Sequence, residues 1–179
     1  MNHKRIALIG SHGTGKTSII ERLAEITKLP VIEELARNYN MNTSDLDEYK
    51  FFQKQLLLEQ IKAEMALKLS NGSFISDRST IDNMAYFLLK CEENSTPEER
   101  TRYADIAIKN ALLYDYIFYV PIEFEMDTSN EFRFKDILFQ REIDEKILHL
   151  IKLFEINVTV VKGSLDERVS TIIDVIKWR

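Results

Sequence analysis

The chain has 179 residues, of which 45% are hydrophobic and 30% are charged, and its formal net charge is −5. This balance is typical of a globular protein with a buried core, and we expect a single domain over residues 1–179. The acidic charge argues against general binding of nucleic acids or anionic membranes. The single cysteine, Cys91, excludes a disulfide framework and favours a cytoplasmic protein in which this thiol packs between helices.

Apolar runs in the sequence are too short to cross a membrane. The chain enters a predicted strand directly, so we expect no signal peptide. The oligomeric state stays open at this point, with a homodimer as one alternative.

Apolar β-branched runs alternate with amphipathic helical patterns along the chain. The predicted strands cover residues 5–9, 29–32, 74–76, 116–120 and 158–161. The predicted helices cover residues 17–26, 33–38, the segment after a cap at Asn42-Thr43-Ser44 up to Leu69, 81–89, 96–113, 135–154 and 165–177. This alternation predicts an α/β fold with a five-stranded parallel sheet and helices on both faces, in three layers.

A phosphate-binding motif follows the first predicted strand. Residues 10–17 read G-x-x-x-x-G-K-T, the P-loop pattern, in the required setting between a strand and a helix. Its backbone amides form an anion-binding nest, its lysine reaches the β- and γ-phosphates, and its threonine binds Mg²⁺. We therefore expect ATP and Mg²⁺ as ligands. The expected nucleotide contacts are the motif and the next residue: Gly10, Ser11, His12, Gly13, Thr14, Gly15, Lys16, Thr17 and Ser18.

Charged residues follow two further predicted strands. The carboxyl ends of parallel strands share one edge of a sheet, where ligands bind. Asp77 is expected there beside Thr17, as a second ligand of Mg²⁺. Arg78 offers a bidentate fork to a phosphate, with a structural salt bridge as the alternative. One carboxylate after the second strand is expected to accept the proton of an attacking hydroxyl; Glu33 is preferred over Glu34 because it lies nearer the strand end.

These motifs resemble those of small-molecule kinases. The segment Asp77-Arg78-x-x-x-Asp82-x-x-Ala85-Tyr86 resembles the D-R-x-x-x-S-x-x-A-Y segment of thymidylate kinases, with Asp82 in place of the usual serine, and the E-R-S segment of deoxynucleoside kinases. The segment Glu33-Glu34-Leu35-Ala36-Arg37 is similar to an E-x-A-R stretch in the nicotinamide-riboside kinase domain of the bacterial NAD regulator and in related AAA-domain ATPases.

A lid is implied by the same resemblance. Glu131-Phe132-Arg133, followed by Arg141, resembles the lid of that group, although the glycine of its D-G-x-R pattern is absent. The lid region is expected over about residues 122–141, where Arg133 and Arg141 would reach the transferring phosphoryl group. The alternative is that both arginines lie on exposed surface, with Arg141 paired with a nearby acid.

The resemblance implies a P-loop fold of the nucleoside-monophosphate-kinase type and a kinase activity. The expected reaction is ATP-dependent phosphoryl transfer to a nucleoside, a nucleotide or a ribosylnicotinamide-like compound. The alternative is a nucleotide-binding ATPase or GTPase regulator without acceptor chemistry. A regulatory GTPase is disfavoured because the chain contains no D-x-x-G and no N-K-x-D. An AAA-type ATPase machine is disfavoured because the chain is too short for the additional helical domain.

Overall fold

The computed structural model describes residues 3–39, 44–123 and 137–178. Within these ranges strands alternate with α-helices, and a 3₁₀ turn lies at Leu35–Asn38. The strands are β1 (Arg5–Ile9), β2 (Val31–Ile32), β3 (Phe74–Asp77), β4 (Tyr116–Tyr119) and β5 (Thr159–Val160). The helices are α1 (Lys16–Thr27), α2 (Leu46–Ser70), α3 (Thr80–Cys91), α4 (Pro97–Ala111), α5 (Ile137–Leu153) and α6 (Leu165–Ile176).

The five strands form one parallel sheet in the order β2-β3-β1-β4-β5. The predicted parallel sheet is therefore confirmed. Strand β1 lies at its centre, hydrogen-bonded to β3 on one side and β4 on the other. Since the strands run in the same direction, the segments that follow β1, β3 and β4 emerge side by side at one edge.

The alternation of side chains along β1 divides the core into two clusters. Ile6 and Leu8 pack with apolar residues of α1 and α6, whereas Ala7 and Ile9 pack with residues of α2, α3, α4 and α5. All four of these β1 side chains are fully buried. A strand whose successive side chains are apolar on both sides requires cover on both faces, which gives the predicted three layers.

Two helix starts differ from the sequence-based prediction. The N-cap of α2 is Asp45, whose carboxylate accepts hydrogen bonds from the backbone N–H groups of Asp47 and Glu48. The cap predicted at Asn42-Thr43-Ser44 is therefore wrong; its first two residues lie outside the described residues. The helix predicted from Glu33 is only the 3₁₀ turn, because its backbone bonds connect residues three apart.

Other sequence features lie where they were expected. Thr96 caps α4 in a reciprocal capping box with Glu99, and Pro97 occupies the first helical position. Cys91 is buried at the end of α3, which agrees with its interpretation as a packing residue. Among the described helices, none is both long and apolar enough to span a membrane. Residues 124–136, which include Arg133 and most of the predicted lid, lie outside the described residues.

Candidate active site

The loop between β1 and α1 depends on glycine at its two ends. Gly10 has a φ of 141°, and a Cβ atom there would lie 2.4 Å from the carbonyl oxygen of Val120, just after β4. Gly15 caps the N-terminus of α1 with a φ of 87°. A side chain at either position would be strained, so the glycines allow the loop to pass close to β4 and then turn into α1. The positive end of the α1 dipole lies at this turn.

Lys16 lies folded back onto the loop that precedes it. Its Nζ donates hydrogen bonds to the carbonyl oxygens of Gly10 at 2.8 Å and Ser11 at 2.6 Å. The side chain is buried, and burial, together with the nearby positive charge of Arg78, lowers the pKa of Lys16 to about 8. The ammonium group is thus held against the first two residues of the loop.

Thr17, in the first turn of α1, and Asp77, at the end of β3, bring two side-chain oxygens together. The Thr17 hydroxyl donates to Oδ2 of Asp77 at 2.9 Å. Oδ1 of Asp77 is buried and has no hydrogen-bond partner among the described residues. Arg37 donates from Nη2 to the Thr17 hydroxyl at 2.6 Å and lies 3.7 Å from the Asp77 carboxylate. A hydroxyl beside a buried carboxylate with a spare oxygen fits the ligand preference of Mg²⁺.

Arg78 follows β3 in a backbone conformation that non-glycine residues seldom adopt. Its φ is 84°, in the left-handed region, and such strain is concentrated at functional sites. Its Nε donates a hydrogen bond to the Glu34 carboxylate at 2.5 Å, and its Nη1 donates to the Gly10 carbonyl at 3.4 Å. It also lies over the ring of Tyr86, 5.3 Å from the ring centroid. Arg78 therefore joins the β2 end to the phosphate-binding loop.

Asp82 connects α3 to the same loop. Its Oδ1 accepts a hydrogen bond from the Gly10 N–H at 3.0 Å, and its Oδ2 accepts from the Ser79 N–H at 2.9 Å. Oδ1 also lies 3.7 Å from Nη1 of Arg78. The residue is fully buried, and burial raises its pKa, against the opposing effect of Arg78. The sequence showed Asp82 only as a departure from a family serine; its capping-box spacing from Ser79 was the signal for its position.

Glu34, not Glu33, lies in the site. The backbone after β2 is extended at Glu34, so that successive side chains point to opposite sides. Glu33 is exposed. Glu34 pairs with Arg78 and, at 3.0 Å, with Nε of Arg37. Burial opposes ionisation of Glu34, but the positive charges of Arg78 and Lys16 outweigh it and lower the pKa to about 2. The structure therefore places Glu34, and not the preferred Glu33, beside Arg78.

His12 is turned inward from the loop, although a position of this kind is more often solvent-facing. Its Nδ1 lies 3.1 Å from the hydroxyl of Tyr86, and its ring centroid lies 6.0 Å from that of Phe139 on α5. Tyr86 thus links His12 to Arg78, which lies over its ring.

The remaining predicted site residues are distributed differently. Ser11 and Thr14 are buried in the loop, and the Thr14 hydroxyl donates to the Ser11 carbonyl at 3.2 Å. Ser18 is exposed on α1, and Arg141 is exposed on α5. Arg133 lies outside the described residues. The structure therefore brings Lys16, Thr17, Asp77 and Arg78 together, but not Ser18 or Arg141.

Two contacts to the loop come from helices that the sequence analysis did not connect with it. Gln140 of α5 donates from Nε2 to the His12 carbonyl at 2.7 Å, and Arg168 of α6 donates from Nη1 to the Thr14 carbonyl at 2.8 Å. Both side chains are buried. No local pattern in the sequence identifies such partners, since they lie 128 and 154 residues away from the carbonyls they contact.

Residues 5–168 match the protein family described as AAA domain. The chain belongs to this family. The matched range of the AAA domain includes the phosphate-binding loop, the residues after β2 and β3, and most of the helices around them. No curated protein sequence matches the chain significantly.

The fold of this AAA domain is similar to that of two solved structures. A NadR protein in complex with NR is 21% identical with a TM-score of 0.76; the match covers 97% of this chain and 50% of the NadR chain. Deoxyadenosine kinase from M. mycoides with bound dATP is 14% identical with a TM-score of 0.73, and the match covers 97% of this chain and all of that one. The chain thus spans about half the length of the NadR chain. The expected P-loop fold of the kinase type is confirmed.

Proposed function

We propose that this AAA domain transfers the γ-phosphoryl group of ATP to a small acceptor: a nucleoside, a nucleotide or a ribosylnicotinamide-like compound. The observation that carries the proposal is the Glu34–Arg78 pair, held against the carbonyl of Gly10 in the phosphate-binding loop. A simple nucleotide-binding loop does not require a strained arginine and a carboxylate at its open side. Phosphoryl transfer does require groups that position an acceptor and neutralise charge on the transferring group.

The donor side consists of the loop amides, the N-terminus of α1 and Lys16. Lys16 is already within reach of the loop, and the negative phosphates would draw its ammonium group away from the Gly10 and Ser11 carbonyls. The hydroxyl of Thr17 and the spare oxygen of Asp77 would hold Mg²⁺. When bound, that ion would neutralise charge on the β- and γ-phosphates.

The acceptor side consists of Glu34 and Arg78. The acceptor hydroxyl oxygen forms a bond to the γ-phosphorus, the bond from that phosphorus to the β–γ bridging oxygen breaks, and the hydroxyl proton passes to the Glu34 carboxylate. The low pKa of Glu34, about 2, keeps this carboxylate ionised at neutral pH. A weak base is sufficient because the transition state of phosphoryl transfer is loose, with little bonding to the attacking oxygen. Arg78 offers its fork to the equatorial oxygens of the transferring group.

The structural neighbours support an acceptor of the nucleoside type. One neighbour is a NadR protein in complex with NR, and another is a deoxyadenosine kinase. The single buried cysteine of this chain supports a cytoplasmic setting, which is part of the same proposal.

The test is ATP turnover by the purified protein with a panel of nucleosides, nucleotides and nicotinamide riboside, with phosphorylated products detected by mass spectrometry. ATP alone is expected to turn over slowly, and one acceptor class is expected to raise the rate steeply. Arg78→Ala should remove this stimulation while ATP binding is retained. If no acceptor is phosphorylated and water alone is used at the full rate, the chain is a nucleotide-binding ATPase or GTPase regulator instead.

A further inference from the structure

Two carbonyl groups of the phosphate-binding loop are fixed from outside the loop. Nε2 of Gln140 donates to the His12 carbonyl, and Nη1 of Arg168 donates to the Thr14 carbonyl. Gln140 is 2% exposed and Arg168 is 3% exposed, so water does not compete readily for either contact. The two donors come from different helices, α5 and α6, that approach the loop from the two faces of the sheet.

Each of these carbonyls shares a peptide unit with the N–H of a glycine. Peptide bonds among the described residues are trans, and in a trans peptide the C=O and the following N–H point in opposite directions. A donor that holds the His12 carbonyl outward therefore turns the Gly13 N–H inward, and Arg168 does the same for the Gly15 N–H. Gly13 and Gly15 have φ angles of 72° and 87°, and glycine adopts either sign of φ at little cost. Loss of either donor therefore removes a contact that restrains the orientation of the corresponding peptide plane.

Lys16 does not supply the same restraint once a nucleotide is bound. It holds the carbonyls of Gly10 and Ser11, at the other end of the loop. Phosphate oxygens attract its ammonium group, and those contacts then weaken. The contacts of Gln140 and Arg168 come from α5 and α6, which pack on the two faces of the sheet, so we expect both contacts to persist when phosphates bind.

Arg168 is itself held in place by two further segments. Its Nε donates to the Gly163 carbonyl at 2.8 Å, and its Nη2 donates to the Glu123 carboxylate at 2.7 Å. The same carboxylate accepts from the Gly163 N–H at 2.9 Å. Arg168 therefore joins the loop to the segments after β4 and β5, and Glu123 balances its buried charge. A lysine has no planar guanidinium group and cannot donate to three partners in this way.

We propose that Gln140 and Arg168 are positioning residues that preorganise the phosphate-binding loop by turning the amides of Gly13 and Gly15 toward the phosphates. Neither residue touches the nucleotide. The inference rests on the proposed function only in so far as the loop binds nucleotide phosphates; it does not depend on the acceptor.

The first test observes the amides directly in the ligand-free protein. The chain has five glycines, and each is preceded by a different residue type. In ¹⁵N-glycine protein, a ¹³C-carbonyl label on histidine therefore identifies the NMR signal of the Gly13 amide, and the same label on threonine identifies that of Gly15. Gln140→Leu should shift or broaden the Gly13 signal, and Arg168→Lys should do so for Gly15 and Gly163. Gly72, which lies after α2, should not move in either variant. Unchanged Gly13 and Gly15 signals in the folded variants would overturn the proposal.

The second test compares binding of ADP with binding of adenosine by calorimetry. Each variant should weaken ADP binding about tenfold, as expected when one glycine amide no longer donates to a phosphate, and leave adenosine binding unchanged. Glu142→Gln on α5 and Ser170→Ala on α6 are matched controls, since both side chains are exposed. Equal losses for the two ligands would contradict a role in phosphate positioning. If the wild-type protein bound ADP no better than adenosine, the loop would not bind phosphates and the inference would fail. If ADP bound more tightly than adenosine but no acceptor were phosphorylated, the proposed function would fail and the inference would stand.

Discussion

The carboxylate of Glu34 lies 2.5 Å from Nε of Arg78, although the two residues are 44 positions apart and follow different strands. Strand β2 pairs with β3, so the segments after them emerge as neighbours at the same edge of the sheet. The pair is largely buried, with side-chain exposures of 18% for Glu34 and 14% for Arg78. Each charge stabilises the other: the pKa of Glu34 falls to about 2, and the pKa of Arg78 rises well above its usual range. Both groups therefore stay ionised where the proposed acceptor binds.

Replacement of Glu34 is the first prediction. Glu34→Gln removes the carboxylate proposed to accept the hydroxyl proton and takes the ionic partner from Arg78, so the acceptor-stimulated rate should fall by about 10² or more. ATP binding should change little, because the donor groups are untouched. Steady-state turnover with the best acceptor, together with a binding titration of ATP, measures both quantities.

Glu33→Gln is the matched control for this experiment. Glu33 is the adjacent carboxylate, but its side chain is exposed on the other side of the extended segment. The acceptor-stimulated rate of Glu33→Gln should stay within about twofold of the wild-type rate, as for most surface substitutions. A large loss in Glu33→Gln with full activity in Glu34→Gln would restore the sequence-based preference for Glu33.

The proposed metal ligands give the second prediction. Thr17 and Asp77 are proposed to hold Mg²⁺, so Asp77→Asn should weaken binding of Mg·ATP by about tenfold, the loss of one charge-assisted contact. Binding of metal-free ATP, measured in excess chelator, should change by less than about twofold. Asp105→Asn, on the exposed surface of α4, controls for a general effect of charge. Equal losses with and without Mg²⁺ would make Asp77 a structural partner of Arg37 and Thr17.

Much of the fold was predictable because its signals are local. The motif in residues 10–17 fixes a strand before it and a helix after it, and the apolar runs locate the other strands. The rule that parallel strands end at one edge then places Asp77 and Arg78 beside the loop without any knowledge of distances. This rule does not say which way a side chain points. It therefore could not choose between Glu33 and Glu34, which differ by one step along an extended backbone.

Contacts between remote segments were not predictable from the sequence. Gln140 and Arg168 occupy ordinary helical positions, and only the packing of α5 and α6 against the sheet brings them to the loop. The contact of the buried Asp82 carboxylate with the loop was not predictable either. The spacing of Asp82 from Ser79 indicates a helix cap, but its hydrogen bond from the Gly10 N–H depends on how β1 and β3 pair.

The pKa of Lys16 gives the third prediction, a pH dependence of nucleotide binding. With a pKa of about 8 in the nucleotide-free protein, Lys16 is charged below this pH and loses its charge as the pH rises above it. Phosphates favour the charged form, so ADP binding should take up nearly one proton at pH 9 and almost none from this group at pH 7. Calorimetry in two buffers of different ionisation enthalpy measures the uptake. Lys16→Met should abolish it, and an unchanged uptake in that variant would assign the proton to another group.

The fourth prediction concerns stability in acid. The pKa of Glu34 is about 2 in the folded protein and near its ordinary value of 4.5 when unfolded. A carboxylate with a lowered pKa contributes stability that is fully present above the unfolded pKa and is lost as the pH falls toward the folded pKa. The window is therefore about pH 4.5 to 2. At pH 7, Glu34→Gln should lower the free energy of unfolding by about 1 to 3 kcal/mol, because Arg78 loses its ionic partner.

Denaturant titrations at pH 7, 5 and 3 follow this difference directly. The gap between wild type and Glu34→Gln should be constant from pH 7 to 5 and narrower at pH 3, because the unfolded wild-type chain takes up a proton at Glu34 below about pH 4.5 whereas the glutamine of the variant does not titrate. Glu33→Gln, measured in parallel, should differ little from wild type at all three values because its side chain is exposed. A gap that stayed the same at pH 3 would show that the contribution of Glu34 comes from packing and hydrogen bonding, and not from its charge beside Arg78.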